Sequence, residues 1–302
     1  MMARRATNVR PVTPVVALTI AGSDSGGGAG IQADLKTFAS MGVYGTCALT
    51  AVTAQHTRGV MAVERVDPGM VRAQIEAVLD DFGPAAVKTG MLATPAIVAE
   101  VAELAAGGRL VNLVVDPVLV SSTGHSLMDQ GGIEAYRRLL LPHATVATPN
   151  LRETALLTGR RLEDLGTVDA MTEAAQELRA LGTTTVVVKG GDLSAAAGPA
   201  RAVTTRDRDR DAGNPGCPDV VAGPDGAVVL PAERITTGND HGTGCTLSAA
   251  IAAGLALGAE LPSAVTGAKH FVHRALLGAV EWRLGTGHGP IDHFGWSTPA
   301  DE

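Results

Sequence analysis

Aromatic side chains are scarce. Two Trp, two Tyr and four Phe make up only 3% of the 302 residues, so a core has to be built from Ala, Val and Leu, and 37 glycines let backbones approach closely. Cysteine is nearly absent as well. Cys47, Cys217 and Cys245 show no metal-type spacing and cannot form a disulfide framework, which fits a reducing cytoplasm. No run reaches eighteen apolar residues, so no membrane span is expected. Positive charge is not in excess: the net charge of -7 argues against a nucleic-acid partner. Residues 1–14, with Arg4, Arg5 and Arg10, lack the apolar centre of a signal peptide and read as a flexible, solvated tail. Two nucleotide signatures are also missing. There is no Gly-x-x-x-x-Gly-Lys-Ser/Thr, which excludes a P-loop kinase. Gly28-Ala29-Gly30-Ile31-Gln32-Ala33 matches a loose dinucleotide fingerprint, but Gln55 and His56 stand where a ribose-binding acid is wanted.

What is present alternates. Val15–Ala21, 47–52, 86–89, 110–115, 145–147 and 185–189 are short apolar runs that read as strands, many stopped by Gly, Pro or Asp. Between them, 31–41, 68–82, 95–106, 132–140, 152–157 and 168–181 carry apolar residues at helical spacing, and 263–284 reads as a long final helix. Val228 to Leu230 reads as an antiparallel edge piece. Strands alternating with helices predict an α/β domain with a mostly parallel central sheet and helices on both faces. Hydrophobic residues at 45% are enough for one sizeable core, and there is no internal repeat or domain boundary. The segment 194–226 is out of character. It is rich in Ala, Gly and Pro and contains Arg206-Asp207-Arg208-Asp209-Arg210-Asp211, so it reads as a flexible surface insertion, with a lid over the site as the alternative.

The stretch that organises the rest is His241-Gly242-Thr243-Gly244-Cys245, followed by a run in which Leu247, Ile251 and Leu255 recur at i, i+4, i+8. A helix that is small or apolar on every side is buried. Its first turn points free N–H groups out of the core and adds positive potential. Gly242 and Gly244 leave room for an oxyanion there, as in a phosphate cradle; an ordinary glycine-started helix is the plainer reading. In an open parallel sheet ligands sit at the carboxyl ends of strands, and polar residues fall after most of these strands: Asp34 and the 22–30 glycine loop, Gln55, Asp116, Asn150, Glu153 and Lys189. Asp116 is either a turn residue before Pro117 or an acid near Mg²⁺ and phosphate. Asn150 and Glu153 are equally able simply to start a helix.

Asn239 to Ala250 resembles the signature of the hydroxymethylpyrimidine and phosphomethylpyrimidine kinases of thiamin synthesis, members of the ribokinase-like superfamily. Ala17 to Phe38, Val115-Asp116-Pro117-Val118, Thr148-Pro149-Asn150-Leu151-Arg152-Glu153, Val188-Lys189-Gly190-Gly191 and Gly289 to Phe294 are similar to the same family's other blocks, in order, across residues 15–296. The resemblance implies one ribokinase-like kinase domain that uses ATP and Mg²⁺ to phosphorylate a hydroxymethylpyrimidine and then its monophosphate. A pyridoxal or pyridoxine kinase of the same fold is the alternative. It implies that Asn150 and Glu153 form the superfamily's Asn-x-x-Glu element, with Glu153 and Asp116 near the metal and Glu153 acting through metal-bound water. Lys189 and Thr243 then belong with the nucleotide phosphates. Gln55 offers a donor and an acceptor on one amide and is expected to read the pyrimidine, with Gly22, Asp34, Met91 and Val118 as walls; Met91 and Val118 are as readily plain core. The resemblance assigns catalysis to Gly242, Gly244, Lys189 and Cys245. Cys245 stands where the superfamily's sugar kinases carry an aspartate base, and a helix N-terminus is expected to lower its thiol pKa. The expected partners are ATP and a small pyrimidine, with no nucleic acid and no membrane; a homodimer is compatible with the sequence.

Overall fold

The computed structural model describes residues 13–120, 127–193 and 216–297. Residues 1–12 of the expected tail and 194–215 of the expected insertion, with its alternating Arg/Asp run, lie outside the described residues.

The chain opens with β1 (Val16–Ala21), whose β-branched and small side chains are almost all buried. It turns through the glycine loop into α1 (Gly30–Ser40) and returns as β2 (Tyr44–Leu49). At Thr50 the chain leaves this layer: its N–H donates to Ala21 O and its hydroxyl to Met91 O. The expected single strand over 47–52 is therefore split. Its second part becomes β3 (Ala51–His56), which pairs antiparallel with β4 (Gly59–Arg65) as a separate two-stranded ribbon. Next come α2 (Pro68–Phe82), β5 (Ala86–Thr89), α3 (Pro95–Ala106) and β6 (Leu113–Val115). Asp67 caps α2 by accepting from Gly69 and Met70 N–H, Pro68 occupies its first turn, and Gly83 ends it at φ 56°. α4 (Gln130–Ala135) runs on through a wider π turn, Tyr136–Leu140. β7 (Val146–Ala147), α5 (Leu151–Thr158), α6 (Val168–Arg179) and β8 (Thr185–Val188) follow. β9 (Asp219–Gly223) and β10 (Gly226–Leu230) precede α7 (Thr243–Ala256) and α8 (Leu261–Ala279).

The main sheet has eight strands in the order β2-β1-β5-β6-β7-β8-β9-β10. The strands from β2 to β8 pair in parallel, while β9 and β10 are antiparallel. This is the mostly parallel sheet expected from the alternation. One expectation is corrected: β9 lies within 194–226, and it is a buried inner strand, with Val220, Val221 and Ala222 at or below 9% exposure. Its Val-Val-Ala run gives a buried strand to a segment whose composition otherwise suggested only an insertion.

Alternate residues of each strand feed opposite layers. Leu18, Ile20, Val87, Leu113, Val115, Val186 and Val188 pack with α2, α3, α5 and α6. Ala17, Val114, Val146, Val187 and Val221 face α1, α7 and α8. Thr19 and Lys88, paired in register across β1 and β5, are among the polar residues this alternation turns toward the second layer. α7 is buried all along its length from Thr246 to Ala256, as expected of its small side chains. No helix among the described residues is long and apolar enough to cross a membrane.

Candidate active site

The parallel strands end side by side, and the residues that follow them converge. Asp116 follows β6, with its N–H bonded to Thr89 O at the end of β5. Thr148 follows β7. Asn150 and Lys189 form a parallel bridge beyond β7 and β8, and Lys189 N–H donates to Pro149 O. The N-terminus of α7 faces the same space.

Asp116 is the hub. Lys189 Nζ lies 2.9 Å from its Oδ1, and Thr148 Oγ1 donates to the same oxygen at 3.3 Å. Ser248 Oγ, one turn into α7, donates to Oδ2 at 3.2 Å. Burial works against the charged form, but Lys189 and Lys88 outweigh it and hold the Asp116 carboxyl below its ordinary pKa. Lys189 is half-buried, which works against its charge, yet Asp116 and Glu153 keep its ammonium charged and its pKa raised. Glu153 behaves differently. It closes a capping box with Asn150, accepting Asn150 N–H at 2.8 Å while Asn150 Oδ1 accepts Glu153 N–H at 2.9 Å. Burial, opposed by Lys189 and reinforced by Asp116, pushes its carboxyl up to about 8.

The head of α7 supplies the cradle. Gly242 caps it at φ 88°, with no side-chain cap and no acid in the first turn. A Cβ on Gly242 would lie 1.8 Å from Gly28 O, so the two glycine loops touch backbone to backbone. A Cβ on Gly244 would lie 3.1 Å from Lys189 Nζ. Helix N-terminus and ammonium thus address one small space, which suits a phosphate.

Cys245 departs from expectation. It stands half-buried at the start of α7, but burial dominates and pushes its thiol up to about 11. Lys88 and a Gly30 N–H pull the other way, while Asp34 and Asp116 add to the rise. The lowering expected of a helix N-terminus is not seen: burial first, then Asp34 and Asp116, leaves this thiol raised.

Asp34 is also placed differently from the pocket wall expected. It is fully buried beneath the glycine loop, accepting from Thr19 Oγ1 at 2.6 Å and paired with Lys88 Nζ at 2.8 Å. Gln55 is not at a sheet-strand end but half-buried in β3, next to a break in register between Ala54 and Gln55. Gly22 is buried against Met91, whose Cε would lie 2.4 Å from an added Cβ. Val118 is half-buried two residues beyond Asp116. Thr243 begins α7, its N–H donating to Asp240 O at 3.3 Å.

Sequence reasoning missed Lys88, Thr148, Ser248, Asp24 and His241. Lys88 left a signal, since it is a charge inside a strand that is otherwise small, apolar or Thr. Asp24 and His241 left none, because they meet only through folding, with His241 Nε2 2.9 Å from Asp24 Oδ2. Among the described residues no three His, Cys, Asp or Glu side chains cluster as a metal site.

Residues 24–292 match the family model described as phosphomethylpyrimidine kinase. The hydroxymethylpyrimidine/phosphomethylpyrimidine kinase of Rhizobium meliloti is 46% identical over 92% of this chain and 97% of that protein. The Bacillus subtilis pyridoxal kinase, solved as an ADP complex, superposes with a TM-score of 0.81 at 38% identity, covering 95% of this chain and 100% of that one. The phosphomethylpyrimidine kinase of Clostridium difficile gives a TM-score of 0.71 at 38% identity, over 87% and 99%. The fold is ribokinase-like, as the ordered sequence blocks implied. This chain belongs to the phosphomethylpyrimidine kinase family.

Proposed function

We propose that this chain transfers the γ-phosphoryl group of ATP to 4-amino-5-hydroxymethyl-2-methylpyrimidine and then phosphorylates the resulting monophosphate to the diphosphate. The observation that carries the reading is the meeting of Lys189 with the head of α7 at Gly244, joined through Asp116 to the ends of β6, β7 and β8. Transfer of this kind is catalysed mainly by position and charge. Lys189 stabilises charge on the moving phosphoryl oxygens, and the Gly242–Cys245 amides complete the cradle with Thr243 at the nucleotide side. Gln55, with Gly22, Met91 and Val118, faces the pyrimidine, and Asp34 supports that wall from beneath through Thr19 and Lys88. The test is the product mass after incubation with ATP and the pyrimidine. Two added phosphates support the full reading, one supports only the first step, and none overturns it.

Asp116 and Glu153 present carboxylate oxygens, the ligands Mg²⁺ favours, and Asn150 holds Glu153 in place through the capping box. Glu153, pushed up to about 8 by burial and then by Asp116, gains most from a nearby cation. Asp116 and Glu153 would hold Mg²⁺, Glu153 through water. When bound, the ion neutralises phosphate charge.

A pyridoxal kinase reading has one observation in its favour, the 0.81 superposition on a pyridoxal kinase. Phosphorylation of pyridoxal beside the pyrimidine, with comparable kcat/KM, would support dual specificity.

The β3–β4 ribbon supports a homodimer. Val52, Val60, Met61 and Val63 are all exposed on it, Met61 by 73%. A two-stranded ribbon is marginal alone, and a second copy's ribbon would cover those residues. Met61→Asp should convert a dimer to a monomer in sedimentation. A wild-type monomer at micromolar concentration removes the proposal. The three cysteines are all free, which supports a reducing compartment such as the cytoplasm.

A further inference from the structure

Three segments meet at His241: the 22–30 glycine loop, the β3–β4 ribbon and the loop that enters α7. Asp24 fixes the first. Its Oδ1 accepts Gly26 N–H at 2.8 Å, and its Oδ2 accepts Gly28 and Ala29 N–H at 3.1 and 2.8 Å. His241 Nε2 stands 2.9 Å from the same Oδ2. Burial opposes ionisation of Asp24, but the bonds from His241 and the amides outweigh it and its pKa is lowered. An ionised carboxylate has no proton to give. His241 Nε2 therefore carries the hydrogen, whether the ring is neutral or charged.

That assignment reaches Gln55. One terminal atom of its amide, placed as Nε2, lies 3.3 Å from His241 Nε2. The other, placed as Oε1, lies 3.4 Å from Thr53 Oγ1. The Thr53 hydroxyl gives its hydrogen to Ser23 O at 2.8 Å, so toward Gln55 it offers only lone pairs. Two donors would face each other at His241 and two acceptors at Thr53. Exchanging the amide oxygen and nitrogen, which leaves the heavy-atom outline unchanged, removes both mismatches: the NH₂ donates to Thr53 Oγ1, and the oxygen shares, as the longer arm of a bifurcated bond, the His241 hydrogen that also goes to Asp24 Oδ2.

We infer that His241 and Thr53 lock the Gln55 amide in one orientation, oxygen toward His241 and NH₂ toward Thr53, and so make His241 a positioning residue that decides which pyrimidine edge the pocket accepts. This rests on the reading that Gln55 faces the pyrimidine. The locked amide keeps one N–H and one oxygen lone pair free, in a set order. A 4-aminopyrimidine presents an amine donor beside a ring-nitrogen acceptor, whereas its 4-oxo counterpart presents a carbonyl acceptor beside an N–H donor. A free amide can turn to suit either edge; a locked one matches a single order, which the 4-amino compound satisfies.

The experiment compares kcat/KM for 4-amino-5-hydroxymethyl-2-methylpyrimidine and for its 4-oxo counterpart in wild type, His241→Ala, His241→Gln and Thr53→Val. Losses common to both acceptors, such as damage to the adjoining anion loop, cancel in the ratio. The wild type should prefer the 4-amino compound. His241→Ala should narrow that preference about tenfold, the worth of one mispaired polar contact. His241→Gln, which keeps an N–H at similar reach, should retain the preference within about twofold. Thr53→Val removes the lone pairs at the other end and should narrow it too, which carries the test if His241→Ala fails to fold. A strong wild-type preference with an unchanged ratio in the folded variants overturns the lock alone. Wild-type enzyme that phosphorylates neither compound overturns the functional reading and the lock with it.

Discussion

Lys88 Nζ lies 2.9 and 2.8 Å from the two carboxylate oxygens of Asp34, and neither side chain has any exposed surface. Burial alone would discharge the lysine, but the charges of Asp34 and Asp116 outweigh it and raise its pKa. The pair lies between β5 and α1, close to Cys245. It turns a strand that sequence reading treats as plain core into a charged support for the site.

Removing one member of such a pair strands the other charge. Lys88→Met should cost about 3–5 kcal/mol, whereas Lys88→Met with Asp34→Leu should recover most of the loss. Urea midpoints of the three proteins decide this. A double variant as unstable as Lys88→Met would mean that packing, not the stranded carboxylate, is responsible.

The cradle at α7 predicts a different kind of loss. Lys189→Met removes the ammonium but leaves Asp116 bonded to Thr148 and Ser248 and near the charge of Lys88, so the carboxylate is not stranded and the fold should hold. ADP formation should fall by about two orders of magnitude or more. Gly244→Val fills the space beneath Lys189 and should fall at least as far. Normal turnover in either folded variant places phosphoryl transfer elsewhere.

Cys245, with its thiol pushed up to about 11, is neutral at physiological pH. Iodoacetamide should label it slowly at pH 8 and roughly tenfold faster per pH unit above that, until about 11. A neutral group also tolerates both acceptors, the alcohol and the anionic monophosphate. In Cys245→Asp the added charge would stand near the incoming phosphate, and two like charges about 4 Å apart cost several kcal/mol at an effective dielectric near 20. The monophosphate step should therefore slow much more than the alcohol step. Equal slowing of both would show that Cys245 acts through shape.

His293 sets an acid limit. It is buried behind α7, with Nε2 3.0 Å from Thr246 Oγ1. Burial first, then Lys36, lowers its pKa from 6.5 to about 4. The unfolded chain takes up this proton more readily, so the stabilising contribution is complete above about pH 6.5 and is lost as pH falls toward 4. The gap is worth up to about 3 kcal/mol. His293→Gln keeps a polar partner for Thr246 and should flatten the stability profile between pH 6.5 and 4. An unchanged slope in thermal melts would assign the acid limit to other groups.

Much of this protein is written locally. The alternation of apolar runs with helical spacing is sufficient for a parallel α/β sheet, because each run has to bury its side chains and each amphipathic helix has to cover a face. The glycines at 242 and 244 and the small residues behind them determine a buried helix with an open N-terminus. Asp116, Asn150, Glu153 and Lys189 are legible because strand ends in a parallel sheet point the same way. What the chain does not show locally is pairing across distance. The path of the chain at Thr50, which carries Gln55 out of the main sheet, depends on bonds to Ala21 and Met91. The upward shift of the Cys245 thiol depends first on burial that the packed elements impose, and then on Asp34 and Asp116, which folding brings near it. The bonds between Asp24 and His241, and between Asp34 and Lys88, join residues 217 and 54 positions apart. Charge and hydrogen-bond partners act through space, so only the tertiary structure could decide them.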